Sequence, residues 1–188
     1  MKDVKAISVI VILELIAIAG LAVGQIPVVD RRAPDSTLTD TSGRNVSLTS
    51  LRGSPAALCF FCGCDACMEF ARLWGQMQRS NVLVPPIRTL VIYSGDAASA
   101  RSFLVSSGLD LAATTALPDP DTAVTRVYRV DPCPRIFVLD ANGTVRYTND
   151  GMDDAPQKAA ASVIATRAIG AVQELHPNRG AGHPLTPP

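Results

Sequence analysis

The 188-residue sequence lacks an excess of either charge, because 17 lysines and arginines balance 17 aspartates and glutamates. A chain without net charge gives no indication of the electrostatic attraction that brings proteins to nucleic acids or acidic polymers. We therefore expect no nucleic-acid partner. The sequence also has no internal repeat, and its length suits one domain of ordinary size once the two ends are set aside.

Histidine is scarce, and the two histidines, His176 and His183, lie near the C-terminus. Residues 176–188 are rich in Pro and Gly and contain too little apolar surface to pack, so we expect a disordered tail. Structural zinc sites take four ligands as a rule. Cys59 and Cys62 repeat the Cys-x-x-Cys spacing, but Cys59 is expected to be buried within a strand. Since the histidines are also confined to the tail, we expect neither a bound metal nor another cofactor.

Residues 6–24 form an apolar run about as long as a bilayer core requires. The run exceeds the usual h-region of a signal peptide and favours an uncleaved anchor, although Ala22-Val23-Gly24 offers small residues for a signal peptidase. Glu14 lies in the middle of the run, and the surrounding Leu, Ile and Val residues can offset its insertion cost. We expect residues 1–26 to be a membrane anchor or signal segment and the following domain to lie outside the cytoplasm.

Four of the five cysteines lie between residues 55 and 77, where an apolar run changes into a helical pattern. The continuous apolar stretch Ala56 to Phe61 is typical of a strand buried on both faces. Apolar residues recur at helical spacing from Cys67 to Met77. Cys64 and Cys67 therefore lie where a strand passes into a helix.

This position predicts redox chemistry for Cys64 and Cys67. The first turn of a helix presents unpaired N–H groups and the positive end of the dipole, which favour a thiolate, so we expect Cys64 to be the nucleophile. Asp65 partly cancels this effect. One turn further on, Cys67 can attack a mixed disulfide formed by Cys64. The alternatives are a structural disulfide, half of a metal site, or buried small hydrophobic residues.

Residues 31–53 are predicted to form two short strands around a Ser-Gly turn. Their pattern is Ala33-Pro34-Asp35, Leu38-Thr39-Asp40, Gly43, Val46-Ser47-Leu48 and Leu51-Arg52-Gly53. This pattern resembles the opening hairpin of the redoxin branch of the thioredoxin superfamily, which includes peroxiredoxins and membrane-anchored thiol-disulfide oxidoreductases. The resemblance covers roughly residues 33–175. It implies an α/β fold with a central mixed sheet, flanking helices, an N-terminal β-hairpin extension and an N-terminal hydrophobic helix. The expected elements after the Cys-x-x-Cys helix are a strand Ile87–Tyr93, a helix Ala97–Val105, a strand Leu111–Leu117, a helix from Asp119 through Val127, a hairpin Arg135–Asp140 and Thr144–Thr148, and a helix Ala155–Leu175.

The same resemblance places a second segment beside the Cys-x-x-Cys pair. Pro134 matches the cis-proline that opens the penultimate strand of thioredoxins, and we expect Cys133 and Pro134 to bind substrate main chain. Cys133 then becomes a third thiol at the site, where it could form an alternative bond with Cys64. Cys62 is a candidate fourth thiol, and this cluster keeps a copper, zinc or iron–sulfur carrier as an alternative. We expect Cys59 to be buried and inert.

Three departures from the family bear on the chemistry. Gly63 precedes the first cysteine where the family commonly has Trp, and Leu58 stands where thioredoxin has a buried acid. The Pro-x-x-x-Thr-x-x-Cys motif of peroxiredoxins is absent before both Cys62 and Cys64. A thiol peroxidase therefore remains only an alternative.

Taken together, the sequence predicts an extracytoplasmic thiol-disulfide oxidoreductase with a thioredoxin-like domain over residues 27–175. Its expected partners are protein thiol or disulfide substrates, a redox partner, and the membrane through the N-terminal helix. Cytochrome c apoprotein is one candidate substrate by resemblance. The spacing of the cysteines does not determine whether substrates are reduced or oxidised.

Overall fold

A computed structural model describes residues 27–80, 87–149 and 157–175. Strands and helices alternate through most of this part of the chain. In chain order they are β1 (Thr37–Thr39), β2 (Asn45–Ser47), a short 3₁₀ helix (Leu48–Leu51), β3 (Ala56–Phe61), α1 (Asp65–Arg79), β4 (Arg88–Tyr93), α2 (Ala97–Ser107), β5 (Thr114–Pro118), α3 (Ala123–Val127), β6 (Arg135–Leu139), β7 (Val145–Thr148) and α4 (Gln157–Glu174).

The five later strands form one mixed sheet in the order β5-β4-β3-β6-β7. Strand β3 pairs in parallel with β4, and β4 with β5, whereas β6 pairs antiparallel with both β3 and β7. The expected central mixed sheet is confirmed. Strands β1 and β2 pair antiparallel as a separate two-stranded sheet.

Strand β3 lies at the centre of the sheet, and all six of its residues are buried. Its side chains alternate between two hydrophobic clusters, one on each face of the sheet. Ala57, Cys59 and Phe61 belong to the cluster that contains Cys67 of α1, and Leu58 belongs to the other. Burial on both faces explains why the sequence of β3 is continuously apolar.

Helix α1 contains Cys67 and begins directly after Cys64. It is held against the sheet by polar contacts as well as by packing. The indole N–H of Trp74 donates to Thr89 Oγ1 at 3.0 Å, and the Gln78 amide donates to Thr89 and Thr114 at 3.2 Å. A Cβ at Gly75 would collide with the backbone carbonyl of Gly108, so glycine permits this close approach. These contacts fix the orientation of the helix and hence the positions of Cys67 and of Cys64 directly before it.

Two elements begin three or more residues later than the sequence predicts. The strand expected from Leu111 begins only at Thr114, because the Asp110 carboxylate accepts the Ala112 N–H and holds the chain in a turn. The helix expected from Asp119 begins at Ala123, and Asp119 instead accepts N–H groups of Val124 and Thr125 from outside the helix. In both cases an aspartate carboxylate takes the place of a backbone carbonyl as the acceptor of a backbone N–H.

The predicted anchor and the predicted tail, residues 1–26 and 176–188, lie outside the described residues. Within the described ranges, no helix combines the length and apolar content needed to cross a bilayer. Membrane attachment and the domain boundaries therefore stay predictions.

Candidate functional site

Cys64 is the residue immediately before α1. Its backbone is extended, with φ −69° and ψ 167°, and the helix begins at the next residue. The side chain is exposed and makes no capping hydrogen bond. A free thiol at the solvent-accessible start of a helix is in the position expected of an attacking cysteine.

Cys67 lies one turn into α1 and is completely buried. Its sulfur is 3.4 Å from Cys64 Sγ, and it accepts the backbone N–H of Cys62 at 3.4 Å. Burial, with a smaller contribution from the neighbouring Cys64, raises the pKa of the Cys67 thiol to about 12, against the opposing effect of the N–H donors of Cys62 and Gly63. Cys67 is therefore a protonated thiol at neutral pH, and the exposed Cys64 thiol lies within reach of it.

This contrast predicts a difference in alkylation rate. In the protein fully reduced by excess dithiol, iodoacetamide at pH 8 should label Cys64 at least about 100-fold faster than Cys67, because a pKa of about 12 leaves a thiolate fraction of roughly 10⁻⁴. Quenched time points mapped by mass spectrometry measure both rates. In denaturant the two cysteines should react alike. Comparable rates in the native protein would contradict the assignment of Cys67 as the buried thiol.

The predicted cis-proline is present beside this pair. The Cys133–Pro134 peptide bond is cis, as is Asp131–Pro132. Pro134 is buried, whereas Cys133 is half-buried and lies at the edge of the cluster around Cys67. The structure thus brings together the four residues predicted for the site, which are Cys64, Cys67, Cys133 and Pro134.

The bond partner of Cys133 differs from the one considered from sequence. Cys133 forms a disulfide with Cys62, with a Cα–Cα distance of 6.6 Å, while Cys64 remains a free thiol. The sulfurs of Cys62, Cys64, Cys67 and Cys133 all lie within 4.8 Å of one another. We call these four residues the sulfur cluster. Cys59 is a buried free thiol, as expected.

Asn149 is a further residue of the site, and sequence reasoning missed it. It is buried directly after β7, where its Oδ1 accepts the Ile136 N–H at 2.7 Å and its Nδ2 donates to the Pro134 carbonyl at 2.9 Å. Asn149 therefore clamps the segment that carries the cis-proline. In the sequence it precedes Asp150-Gly151 and is indistinguishable from an ordinary turn residue.

The chain is similar to known proteins in both sequence and fold. The sequence matches the AhpC/TSA family over residues 29–148. The chain belongs to the AhpC/TSA family. No curated protein sequence matches it at a significant level.

Solved structures share the fold. A Chlorobium tepidum protein assigned as a thiol:disulfide interchange protein DsbE is 24% identical, with a TM-score of 0.60 over 78% of this chain and 100% of that one. A secreted Mycobacterium tuberculosis disulfide oxidoreductase homologous to E. coli DsbE is 26% identical, with a TM-score of 0.54 over 68% and 95%. The M. tuberculosis peroxidoxin BcpB is 17% identical, with a TM-score of 0.60 over 80% and 98%. Family and fold together make the chain a thioredoxin-like oxidoreductase.

Gly63 departs from the family pattern for a reason that the structure makes visible. Its φ is +84°, and a Cβ would lie 2.6 Å from the hydroxyl of Tyr93. Gly63, Tyr93 and Met68 line an open depression of about 420 Å³ next to Cys64, and serines 99, 102 and 106 complete its α2 side. The absence of a Cβ at Gly63 thus leaves room for the Tyr93 hydroxyl beside the loop before α1.

We expect Gly63→Ala to destabilise the protein more than a matched glycine substitution. Gly43 has a similar φ of +87°, but a Cβ added there would have no atom within 4 Å. Gly43→Ala should therefore cost only the backbone penalty of about 1–2 kcal/mol, whereas Gly63→Ala should add the displacement of Tyr93. Urea unfolding measures both, and Tyr93→Phe should reduce the excess. Equal costs for the two glycine variants would show that the Tyr93 contact is unimportant.

Proposed function

We propose that the chain is an extracytoplasmic thiol-disulfide oxidoreductase that exchanges disulfides with protein substrates through Cys64 and Cys67. The observation that carries this proposal is the pairing of an exposed Cys64 thiol with a buried Cys67 thiol 3.4 Å away. Disulfide exchange needs one sulfur that is accessible to the substrate and a second sulfur that is accessible only to the first. Cys64 meets the first requirement and Cys67 meets the second.

In the reducing direction, the Cys64 thiolate attacks a substrate disulfide and forms a mixed disulfide, and one substrate sulfur leaves as a thiolate. Cys67 then loses its proton and attacks Cys64 Sγ. The Cys64–Cys67 bond forms, the mixed disulfide breaks, and the substrate leaves as a dithiol. A redox partner returns the pair to thiols, and the same steps in reverse oxidise a substrate.

Two features beside Cys64 support a protein substrate. The cis Cys133–Pro134 segment lies next to the sulfur cluster and is held by Asn149. The open depression lined by Gly63 and Tyr93 offers a mixed apolar and hydroxyl surface on the opposite side. An extended substrate segment can pair with the former and rest a side chain in the latter.

Three observations support a location outside the cytoplasm. The apolar run of residues 6–24 has the length of an anchor or export signal. One structural relative is a secreted disulfide oxidoreductase. A disulfide such as Cys62–Cys133 also persists most readily in an oxidising compartment.

A thiol peroxidase is the second candidate, because the family match and the peroxidoxin relative favour it. In that reaction, Cys64 would attack peroxide and become a sulfenic acid, which Cys67 would resolve to a disulfide with loss of water. Stopped-flow measurements should compare wild-type oxidation by hydrogen peroxide with exchange against a disulfide-bonded model peptide. We expect faster exchange with the peptide. A faster reaction with peroxide would overturn the proposed function in favour of the peroxidase.

A metal carrier is the third alternative considered from sequence. A closed zinc or iron–sulfur site needs four thiol ligands. The sulfur cluster provides four thiols only when Cys62 and Cys133 are reduced, because their disulfide leaves two free ligands. Protein purified under reducing conditions without chelator offers all four thiols, and we still expect it to contain less than stoichiometric metal, because the role proposed for Cys64 and Cys67 is disulfide exchange. About one metal ion or cluster per chain, lost in Cys133→Ala, would favour the carrier.

A further inference from the structure

The Cys62–Cys133 disulfide takes no part in the exchange proposed for Cys64 and Cys67. It joins the end of β3 to the segment before β6, across 71 residues of sequence. Cys62 is exposed and Cys133 half-buried, so this bond lies at the surface of the site and not in the hydrophobic core. A second disulfide therefore lies beside the pair proposed to exchange disulfides with substrates.

The four sulfurs of the sulfur cluster are close enough to exchange bonds with one another. Cys62 Sγ is 3.8 Å from Cys67 Sγ, which in turn is 3.4 Å from Cys64 Sγ. Cys133 Sγ lies within 4.8 Å of all three. Thiol-disulfide exchange requires a thiolate, access to a disulfide sulfur and a leaving thiol. Here a free exposed thiol and a disulfide already lie side by side in one folded chain.

We propose that Cys62–Cys133 is a second redox centre, which passes its oxidation to Cys64 and Cys67 by disulfide exchange within the chain. The proposal rests on the proposed function and adds to it. Fully oxidised protein would hold two disulfides, one at each pair. After a substrate has reduced the Cys64–Cys67 disulfide, exchange with Cys62–Cys133 would form it again without an external oxidant.

The exchange balances in three steps. The Cys64 thiolate attacks Cys133 Sγ, the Cys62–Cys133 bond breaks, and Cys62 leaves as a thiolate. The Cys62 thiolate takes the proton of the Cys67 thiol, 3.8 Å away. The Cys67 thiolate then attacks Cys64 Sγ, the Cys64–Cys67 bond forms, and Cys133 leaves as a thiolate that recovers from water the proton first released by Cys64.

The buried position of Cys67 gives the second step its purpose. Its raised pKa, caused mainly by burial, means that Cys67 needs a base before it can attack. Leu58, where thioredoxin has a buried acid, packs on the opposite face of the sheet and supplies none. The thiolate released from Cys62 forms next to Cys67 at the moment when a base is required. The Cys64–Cys133 bond considered from sequence becomes the intermediate of this transfer.

The first test maps disulfides in the absence of substrate. Cys67→Ser protein carrying the Cys62–Cys133 bond should, after acid quench, alkylation and peptide mapping, contain a measurable fraction of Cys64–Cys133, because the last step is blocked. Cys64→Ser protein should contain Cys62–Cys133 alone. Cys59 must be recovered as a thiol in every sample and serves as the internal standard. Cys62–Cys133 as the sole bond in Cys67→Ser would overturn the relay and make the bridge a structural link.

The second test counts oxidising equivalents with a model peptide that carries one cysteine pair. Fully oxidised wild-type protein should oxidise two peptides per chain. A Cys62→Ser variant, which cannot form Cys62–Cys133, should oxidise one, and a Cys64→Ser variant, which retains Cys62–Cys133, should oxidise none. One peptide per wild-type chain would overturn the relay but leave the proposed function intact. One peptide per Cys64→Ser chain would show that Cys62–Cys133 acts directly, and would also overturn the relay.

The two tests separate the relay from the function on which it rests. Failure of every variant and of wild type to react with the peptide would reject the proposed function, while the bond mapping, which uses no substrate, would still decide the relay. Mapping of wild-type protein after one equivalent of reductant requires no substitution. It should give the same ratio of the two disulfides as one equivalent of oxidant added to fully reduced protein.

Discussion

Replacement of Cys64 by serine should reduce disulfide exchange with a model peptide by at least about 10³-fold, to the uncatalysed background. The hydroxyl that replaces the exposed thiol forms no disulfide and is not ionised at neutral pH. Cys67 is not expected to substitute for it, because its sulfur is completely buried and its pKa is raised by that burial. Initial rates of peptide reduction with a dithiol regenerant measure the loss.

Two controls make this result specific. Cys59→Ala removes a thiol that is buried in β3 and lies outside the sulfur cluster, so it should retain wild-type exchange. Cys67→Ser should lose turnover but keep the first attack within about threefold of the wild-type rate, since Cys64 is unchanged. Full activity in Cys64→Ser would mean that Cys62 or Cys133 is the attacking residue.

Asn149→Ala should destabilise the protein by about 2–4 kcal/mol, because two buried backbone groups lose their hydrogen-bond partner. The groups are the Ile136 N–H and the Pro134 carbonyl. Both belong to the segment that brings Cys133 and Pro134 to the sulfur cluster. We therefore also expect weaker binding of a substrate peptide, measured as a higher KM with a smaller change in kcat.

Asn142→Ala is the matched control for this substitution. Asn142 lies exposed in the β6–β7 turn, and the Asp140 carboxylate accepts its backbone N–H, which alanine preserves. Surface substitutions of this kind stay within about 0.5 kcal/mol. Urea unfolding of both variants gives the comparison. A loss at Asn149 no larger than that at Asn142 would show that the clamp does not hold the cis-proline segment.

The parts of the fold that could be predicted are those with strong local patterns. The change from a continuous apolar run to helical spacing locates the β3–α1 junction, and Asn142-Gly143 between two apolar strands predicts the β6–β7 hairpin. The cis Cys133–Pro134 bond and the nearness of Cys133 to the pair followed from the resemblance. The junction, the hairpin and the cis bond each depend on a short segment of sequence, whereas the nearness of Cys133 to the pair depends on the family's fold.

The remaining features depend on contacts between distant residues. Four cysteines around one site admit several pairings, and only their positions in the fold distinguish Cys62–Cys133 from Cys64–Cys133. The space that Gly63 leaves for Tyr93 depends on packing between β4 and the loop before α1. The clamp by Asn149 joins the residue after β7 to the start of β6, and no pattern around Asn149 indicates it.

The most direct test of the central claim is to identify the sulfur that first bonds to a substrate. Cys67→Ser protein, mixed with a disulfide-bonded model peptide and quenched with acid, should yield a covalent adduct whose peptide map places the bond at Cys64. The same adduct should be absent from Cys64→Ser. An adduct at Cys62 or Cys133 in place of Cys64, or an adduct of undiminished yield in Cys64→Ser, would contradict the assignment of Cys64 as the nucleophile.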